Sequence, residues 1–310
     1  AYWSLAWQSI LFVLIQNICR YYYTYDKWHP SLHIDFSPIR KMFSFSVKIL
    51  ITSIINTINS NVLTFIIGHK FPMAAVGNFT QANKWNTMAY STISGTIEQV
   101  AQPVLAQITD DNEREKRVFR KLMRFTAFFS FPALFGLSLV SQEFILLTIG
   151  EKWAECIPML QVLCIGGAFF AFNTMYQQLA ISSGRSDIYM WCNISQIALQ
   201  IALILLTCSR GIYFMVVAYT VFSILWLGVW QYQARRIIGI RLREVLADTM
   251  PFMLSAAAVM AATYFLTKPV GSIWILFPLR IAIAAALYLA IMKIANVEIL
   301  NECLRFVRKK

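Results

Sequence analysis

Four ionisable side chains interrupt stretches of the sequence that are otherwise long and apolar: Lys48, Lys84, Glu98 and Arg280. An ionised side chain at the centre of a membrane helix costs about 2.5–3.5 kcal/mol, so it persists chiefly where it faces protein or water. These four residues are therefore the first candidates for contacting a polar ligand inside a membrane.

The region 74–107 concentrates polar residues on one side of a predicted helix. At 100° per residue, six residues fall within about 60° of one line and cover about 27 Å of helix. These six residues, called the polar stripe below, are Lys84, Thr87, Ser91, Gly95, Glu98 and Gln102. A stripe of that length crosses most of a bilayer.

The preceding region, 43–67, carries a second polar face. Lys48, Thr52 and Asn59 share this face, and Asn56 lies at its margin. The region ends in an apolar run, 62–67, that favours a membrane helix over a soluble segment. Two neighbouring helices with polar, net cationic faces predict a water-filled cavity that accepts an anion.

Alternatives remain open for the charged candidates. Lys48 could extend its ammonium group to the cytoplasmic surface, and Arg280 could do the same or form a structural ion pair. Lys84 and Glu98 could bridge neighbouring helices instead of lining a pathway. The predicted substrate-pathway residues are Lys84, Glu98, Lys48, Asn59, Ser91, Gln102 and Arg280.

Composition excludes an ordinary water-soluble enzyme. Of 310 residues, 58% are apolar and 14% are charged, against roughly 45–50% and roughly 25% in soluble domains. The chain is predicted to be all-α, a multi-pass transmembrane bundle of about nine helices, or seven if the two polar regions are left out. The predicted spans are 4–22, 43–67, 74–107, 125–149, 157–182, 188–208, 212–232, 251–267 and 273–292.

The charge of the loops predicts the orientation of these spans. Most of the 27 lysines and arginines fall in one alternate set of loops, namely 20–42, 108–124, 184–187, 235–248 and the tail from 293. The only lysines and arginines in the opposite loops are Lys70, Lys152, Arg210 and Lys268. Cytoplasmic loops carry the excess of positive charge, so the first set and the C-terminus are predicted to be cytoplasmic. This bias also explains the net charge of +12 without a nucleic-acid partner.

No residue pattern indicates catalysis, a metal or a cofactor. The sequence lacks phosphate-binding and dinucleotide-binding glycine motifs, and its six cysteines have no C-x-x-C spacing. The mixed-charge run 110–117, which continues to Arg124, is interpreted as the start of a cytoplasmic helix or as a contact with anionic lipid. The chain opens at Ala1 without a signal peptide, and we expect it to be a fragment.

Several short motifs follow one another in a recognisable order. They are Tyr2-Trp3-Ser4-Leu5, Trp28 with Pro30, Phe43-Ser44-Phe45-Ser46, Gly68, 76–82, Gln102-Pro103, 132–137, Gly150-Glu151-Lys152-Trp153 and Ser183-Gly184-Arg185. In this order the chain resembles the polysaccharide and O-antigen flippases of the multidrug/oligosaccharidyl-lipid/polysaccharide (MOP) exporter superfamily. Phe79 replaces the usual tyrosine in the 76–82 motif.

The resemblance implies a MOP/MATE-like architecture of fourteen spans, in two six-helix bundles and a final pair. This chain would then run from the sixth span to the fourteenth. The implied division is 1–22, the last helix of the N-terminal bundle; 23–42, a cytoplasmic linker; 43–232, the C-terminal six-helix bundle; 233–250, a cytoplasmic loop; 251–292, the final pair; and 293–310, a basic cytoplasmic tail.

The resemblance also implies a function: transport of an oligosaccharide linked to polyprenyl pyrophosphate, an O-antigen or exopolysaccharide repeat unit, across the bacterial inner membrane. Lys84 and Lys48 would supply part of a cationic field, and Asn and Gln side chains would bind sugar hydroxyls. Glu98 is a candidate for ion coupling only because it is the acid in the polar stripe. Membrane lipids and polysaccharide-assembly proteins are the implied partners, with no cofactor.

Two other functions compete with this one. An ion-coupled multidrug exporter of the same superfamily would favour acidic cavity residues, whereas the candidates here are mainly cationic. A membrane polymerase or ligase of polysaccharide assembly would be expected to carry a large external loop with Arg or His. The predicted external loops contain only a few residues each.

Overall fold

The computed structural model describes residues 2–25, 37–108 and 111–300, together with Glu302 and Arg305. Within these ranges the side chains of residues 2–6, 37–42, 44–45, 56 and 58–64 are not described. The backbone forms two units, Ala1–Ser44 and Phe45–Lys310. The first unit contains the helix Tyr2–Thr24 and the first residues of the helix Ser37–Lys70, and the second contains the rest of that helix and the helices that follow it.

Every long element in the described ranges is an α-helix. The helices are α1 (Tyr2–Thr24), α2 (Ser37–Lys70), α3 (Met73–Ala106), α4 (Asn112–Leu139), α5 (Ser141–Thr148), α6 (Ile157–Ser182), α7 (Ser186–Thr207), α8 (Ile212–Ile238), α9 (Leu242–Thr267) and α10 (Ile273–Ile294). Short 3₁₀ turns cover Glu151–Cys156 and Cys208–Arg210. Nine of the described helices have 22 residues or more, so the predicted all-α bundle of about nine helices is confirmed.

Six segments of the described chain are long and apolar enough to cross a membrane. They are Asn112–Leu139, Glu151–Ser182, Ser186–Arg210, Ile212–Ile238, Leu242–Thr267 and Ile273–Ile294. The strict count from sequence was seven, because it also included the region 4–22. That region is helical in α1, but Gln8, Gln16, Asn17 and Arg20 lower its apolarity. Helix α3 is also not among the six, as its polar stripe leads us to expect.

Helix α6 is the centre of the second unit. It packs against α3, α4 and α8, while α4 also packs against α9, and α9 against α10. Small residues allow α6 to approach its neighbours closely, as is common between membrane helices. Gly166 faces Thr220 of α8, Gly167 faces Asn86 of α3, and the Ser130 hydroxyl of α4 donates a hydrogen bond to the Ala168 carbonyl at 2.7 Å.

Several predicted boundaries differ from the observed helices. The predicted span 125–149 is two helices, because α4 begins at Asn112 and ends at Leu139. Asp111 caps α4 by accepting a hydrogen bond from the Arg114 amide at 3.0 Å, which is why the charged run is helical and not a loop. The predicted loop 233–250 is also mostly helical: α8 continues to Ile238, where Gly239 (φ +69°) ends it, and α9 begins at Leu242. The division into a six-helix bundle and a final pair stays a prediction.

Candidate functional site

The polar stripe of α3 lies on the less buried side of that helix. The side chains of Lys84, Ser91, Glu98 and Gln102 are exposed, and Thr87 is half-buried. The other side of α3 buries Phe79, Ala82, Asn86, Ile97 and Ala101, and this helix makes extensive contact with α6. The stripe residues therefore share the less buried side of α3, and their role in a transport pathway stays a prediction.

Lys84 is the cation of this stripe. Its Nζ lies 5.9 Å from the centre of the neighbouring Trp85 ring. Among the described residues, no carboxylate lies within 4.0 Å of the ammonium group. Lys84 and Glu98 are fourteen positions apart, about 21 Å along the helix, so they do not neutralise each other. The ammonium group is left available to an anion.

Glu98 and Thr87 connect the stripe to a cavity of about 430 Å³ among α3, α6, α7 and α8. The wall of this cavity, called the amide cavity below, consists mainly of uncharged polar side chains. Helix α6 contributes Asn173, Thr174 and Gln177; α7 contributes Asn193, Gln196 and Gln200; and α8 contributes Tyr219 and Ser223. Tyr90 of α3 and Phe170 of α6 add two aromatic rings with centroids 4.5 Å apart.

Hydrogen bonds fix part of the amide cavity and leave part of it free. The Gln177 amide donates to Asn193 Oδ1 at 3.4 Å, and the Asn193 amide donates to the Tyr189 carbonyl at 2.7 Å. Asn173 is buried, and its Oδ1 accepts no hydrogen bond from the described part of the chain. An amide side chain can both donate and accept, so this wall is suited to hydroxyl groups. Among the described residues that line the cavity, Glu98 is the one with a formal charge.

Sequence reasoning missed the cavity residues of α6, α7 and α8, although the sequence contains a signal for them. Asn193, Gln196 and Gln200 recur at spacings of three and four, which place them on one face of α7, and Asn173 and Gln177 do the same on α6. Averaged hydropathy conceals such isolated amides inside apolar helices.

The predicted partner face on α2 is only partly described. Lys48 is half-buried, and Thr52 is buried and donates to the Lys48 carbonyl at 2.8 Å. The side chains of Asn56 and Asn59 lie outside the described residues. That α2 and α3 enclose one cavity therefore remains a proposal.

Arg280 lies apart from the amide cavity. Its Nη1 is 2.6 Å from Glu143 Oε1, its Nε donates to the Thr267 hydroxyl at 3.1 Å, and its guanidinium lies 5.5 Å from the Tyr264 ring centre. The pair is almost completely buried, with side-chain exposures of 9% and 3%. This arrangement favours the structural ion pair over contact with a substrate.

The basic run of α4 contacts acidic residues of α9. Arg120 binds both carboxylate oxygens of Asp248, at 2.6 and 3.2 Å, and Lys116 lies 2.9 Å from Glu244. Arg124 approaches Asp248 to 3.7 Å. These bonds account for the alternating charges by helix pairing, so the lipid-contact interpretation is not needed for Lys116 and Arg120.

Long apolar helices, an open polar stripe and an internal polar cavity together define a multi-pass membrane protein. A family model described as "Polysaccharide biosynthesis protein" matches residues 1–158. The chain belongs to this family, and the resemblance to the exporter superfamily predicted from the order of the motifs is confirmed.

Individual relatives support the same assignment. The chain is 29% identical over 197 residues to the lipopolysaccharide biosynthesis protein WzxC of Escherichia coli (strain K12), a match covering 62% of this chain and 40% of the relative. It is 30% identical over 166 residues to the teichuronic acid biosynthesis protein TuaB of Bacillus subtilis (strain 168), covering 53% and 34%. The matches thus span well under half of these relatives.

The fold is similar to that of the lipid II flippase MurJ in an inward closed conformation. The TM-score is 0.64 at 15% identity, and the match covers 88% of this chain and 58% of the other. At this identity the likeness demonstrates the fold alone, and it confirms the predicted multi-pass architecture.

Proposed function

We propose that the protein is a transporter that flips an oligosaccharide linked to polyprenyl pyrophosphate across the bacterial inner membrane. The observation that carries this proposal is the open side of α3, where Lys84 has no carboxylate partner among the described residues. A cation in such a bundle is stable only where it meets water or an anion. A pyrophosphate group is an anion of the required kind.

The names of the relatives agree with this substrate class. WzxC, TuaB and the succinoglycan biosynthesis transport protein ExoT of Rhizobium meliloti (strain 1021) are named for three different envelope polysaccharides. The structural neighbour is named a flippase of lipid II. A lipid-linked oligosaccharide, an O-antigen or exopolysaccharide repeat unit, is the substrate class consistent with all four names.

Each part of the proposed substrate requires a different environment, and the polar stripe of α3 provides two of them. The glycan requires a hydrated passage, the pyrophosphate requires a cation, and the lipid tail remains in the bilayer. The polar stripe supplies the first two, with Lys84 as the cation and Ser91, Glu98 and Gln102 as polar contacts. Lys48 would add a second cation from α2. Rocking of two helix bundles would open this passage to each side in turn.

The direction of transport follows from the proposed orientation. The bias of basic loops supports a cytoplasmic C-terminus, and Lys116 and Arg120, which form ion pairs with α9, belong to one of these basic loops. The substrate would enter from the inner leaflet and leave in the outer one. We propose membrane lipids and polysaccharide-assembly proteins as partners.

An ion-coupled multidrug exporter is the second candidate, and Glu98 is the observation that favours it. This carboxylate is exposed and lines the amide cavity, where it could bind a proton or a cationic drug. Glu98→Gln tests the coupling role of this carboxylate. If Glu98 couples transport to protons, the variant loses the dependence on an imposed proton gradient; a defect that ignores the gradient argues against that role.

Deletion of the gene in its host tests the proposed function. We expect lipid-linked oligosaccharides to accumulate with their glycan on the cytoplasmic side of the membrane, and mass spectrometry of the extracted lipids identifies the sugar. Complementation with the wild-type gene is the control. Unchanged levels of lipid-linked oligosaccharide in the deletion strain, with normal surface polysaccharide, contradict the proposal.

A further inference from the structure

The amide cavity and the polar stripe differ in the ligand chemistry that they favour. The stripe is exposed and carries Lys84, whereas the cavity lies between four helices and is lined chiefly by uncharged side chains. Thr87 and Glu98 are the stripe residues that also line the cavity. The two regions are therefore continuous, and they need not hold the same part of one ligand.

Asn173 contributes a buried amide to the wall of the cavity. This residue is 8% exposed, and its Oδ1 has no hydrogen-bond partner among the described residues, as is also true of Gln178 Oε1 outside the cavity. A buried polar atom without a partner costs about 1–3 kcal/mol, so such atoms are rare unless water or a ligand satisfies them. The unpaired oxygen belongs to a residue that lines the cavity.

The cavity has the size and the wall of a small-molecule site. Its volume of about 430 Å³ lies in the range of roughly 300–1,000 Å³ that is typical of such sites. Most ligand pockets are chiefly apolar, but this one presents Asn173, Gln177, Gln196 and Gln200. Each amide offers a donor and an acceptor, which is the pattern that a polyol satisfies.

Charge excludes the pyrophosphate from this position. Among the described residues that line the cavity, none is a lysine or an arginine, and Glu98 would repel a phosphate. A carboxylate instead accepts strong hydrogen bonds from hydroxyl groups. The Tyr90 and Phe170 rings, 4.5 Å apart, offer an apolar surface on which the C–H face of a sugar ring can pack.

We propose that the amide cavity binds a neutral sugar residue of the transported glycan, while Lys84 on the adjoining stripe binds the pyrophosphate. The amides of Asn173, Gln196 and Gln200 bond to sugar hydroxyls, and Glu98 accepts a further hydroxyl. The identification of this sugar as part of the cargo rests on the proposed function.

Two glutamines provide a matched test. Gln200 on α7 and Gln178 on α6 are both buried, with exposures of 3% and 7%, but only Gln200 lines the cavity. Gln200→Leu removes the amide from the cavity, and Gln178→Leu makes the same chemical change outside it. The protein is purified in lipid nanodiscs, and binding is measured by calorimetry with two probes: the oligosaccharide released by mild acid from the surface polysaccharide of the host, and inorganic pyrophosphate.

We expect Gln200→Leu to weaken binding of the oligosaccharide about tenfold, because one ligand hydroxyl loses its partner. Binding of pyrophosphate is unchanged in this variant, and Gln178→Leu alters neither. Lys84→Ala has the opposite effect: it weakens the binding of pyrophosphate and leaves the binding of the free oligosaccharide unchanged. If Gln200→Leu unfolds, Gln196→Leu gives the same test, since Gln196 is only half-buried and is the safer position to change.

The outcomes separate this inference from the proposed function. Equal oligosaccharide affinity in wild type, Gln200→Leu and Gln196→Leu overturns the sugar site and leaves flipping untouched. If sodium alone binds wild type and Gln200→Leu abolishes that binding without affecting the oligosaccharide, the cavity is a cation site and the inference is wrong. Failure of the proposed function is recognised separately, by a deletion strain that accumulates no lipid-linked oligosaccharide.

Discussion

Arg280 of α10 and Glu143 of α5 form a buried ion pair, with Nη1 of the arginine 2.6 Å from Oε1 of the glutamate. Arg280 also donates to the Thr267 hydroxyl of α9, so one guanidinium connects three helices. Glu143 Oε2 has no hydrogen-bond partner within the described ranges. The pair thus contributes to the position of the last two helices, at the cost of burying two charges.

Removing one member of this pair is expected to destabilise the protein far more than removing both members. Arg280→Met leaves the Glu143 carboxylate buried without a partner, which costs about 3–5 kcal/mol. The double variant Arg280→Met/Glu143→Met removes both charges and should recover most of that loss. Thermal unfolding in detergent, followed by intrinsic fluorescence, measures the difference. A double variant as unstable as Arg280→Met contradicts this account of the pair.

The contact between Arg120 and Asp248 predicts a smaller effect at the other end of α4. Asp248→Asn removes a two-point bond, and we expect a loss of about 1–2 kcal/mol because Arg120 is 36% exposed and partly screened by water. Lys121 and Glu302 form an ion pair of similar length, 2.6 Å, that is about half exposed. Glu302→Gln is the control and should leave the melting temperature unchanged. Equal shifts of the melting temperature in Asp248→Asn and Glu302→Gln would show that the two ion pairs contribute equally to stability, which contradicts this prediction.

Close packing of α6 on α8 predicts a steric effect. A Cβ atom at Gly166 would lie 2.7 Å from Thr220 Cγ2, and threonine has few rotamers with which to escape. Gly166→Ala should therefore destabilise the protein by about 1–3 kcal/mol. Gly228→Ala in α8 has open space around the new methyl group and should be neutral or stabilising by up to about 1 kcal/mol. The same unfolding assay compares the two, and a stabilised Gly166→Ala variant rules out close packing at this position.

Lys84 has a natural control in Lys152. Each lysine has its Nζ close to the ring of the tryptophan that follows it, at 5.9 Å for Lys84 and 6.0 Å for Lys152, but Lys152 belongs to the turn Glu151–Cys156 and not to the polar stripe. Lys84→Ala should slow flipping roughly tenfold, since a charged hydrogen bond to the substrate is lost, and Lys152→Ala should not. Surface polysaccharide is quantified alongside the amount of each variant in the membrane. Normal polysaccharide in the Lys84→Ala strain removes this residue from the mechanism.

Helical periodicity explains what the sequence could and could not predict about this site. The spacing of Lys84, Glu98 and Gln102 within one helix predicted their common open side, because the faces of a helix follow from residue numbers alone. The partners of a charged residue do not follow in this way. Arg280 and Glu143 are 137 positions apart, and Arg120 and Asp248 are 128 positions apart, so only the packing of helices brings them together.

The amide cavity shows a second limit of sequence reasoning. It is assembled from amides on α6 and α7, such as Asn173 and Gln200, and from the hydroxyl of Ser223 on α8, and most residues of these three helices are apolar. The mean hydropathy of a span is set by its apolar majority, so a few amides do not stand out. The charged residues Lys84 and Glu98 are recognisable from the sequence because a single charge is already costly in a membrane.

Reconstitution is the most direct test of the central claim. The purified protein is inserted into liposomes that contain the lipid-linked oligosaccharide of its host in both leaflets, and a membrane-impermeant enzyme that cleaves this glycan is added outside. We predict that wild-type protein makes the protected inner pool accessible with time, and that Lys84→Ala does so about tenfold more slowly. An inner pool that stays protected to the same extent as in liposomes without protein would contradict the account.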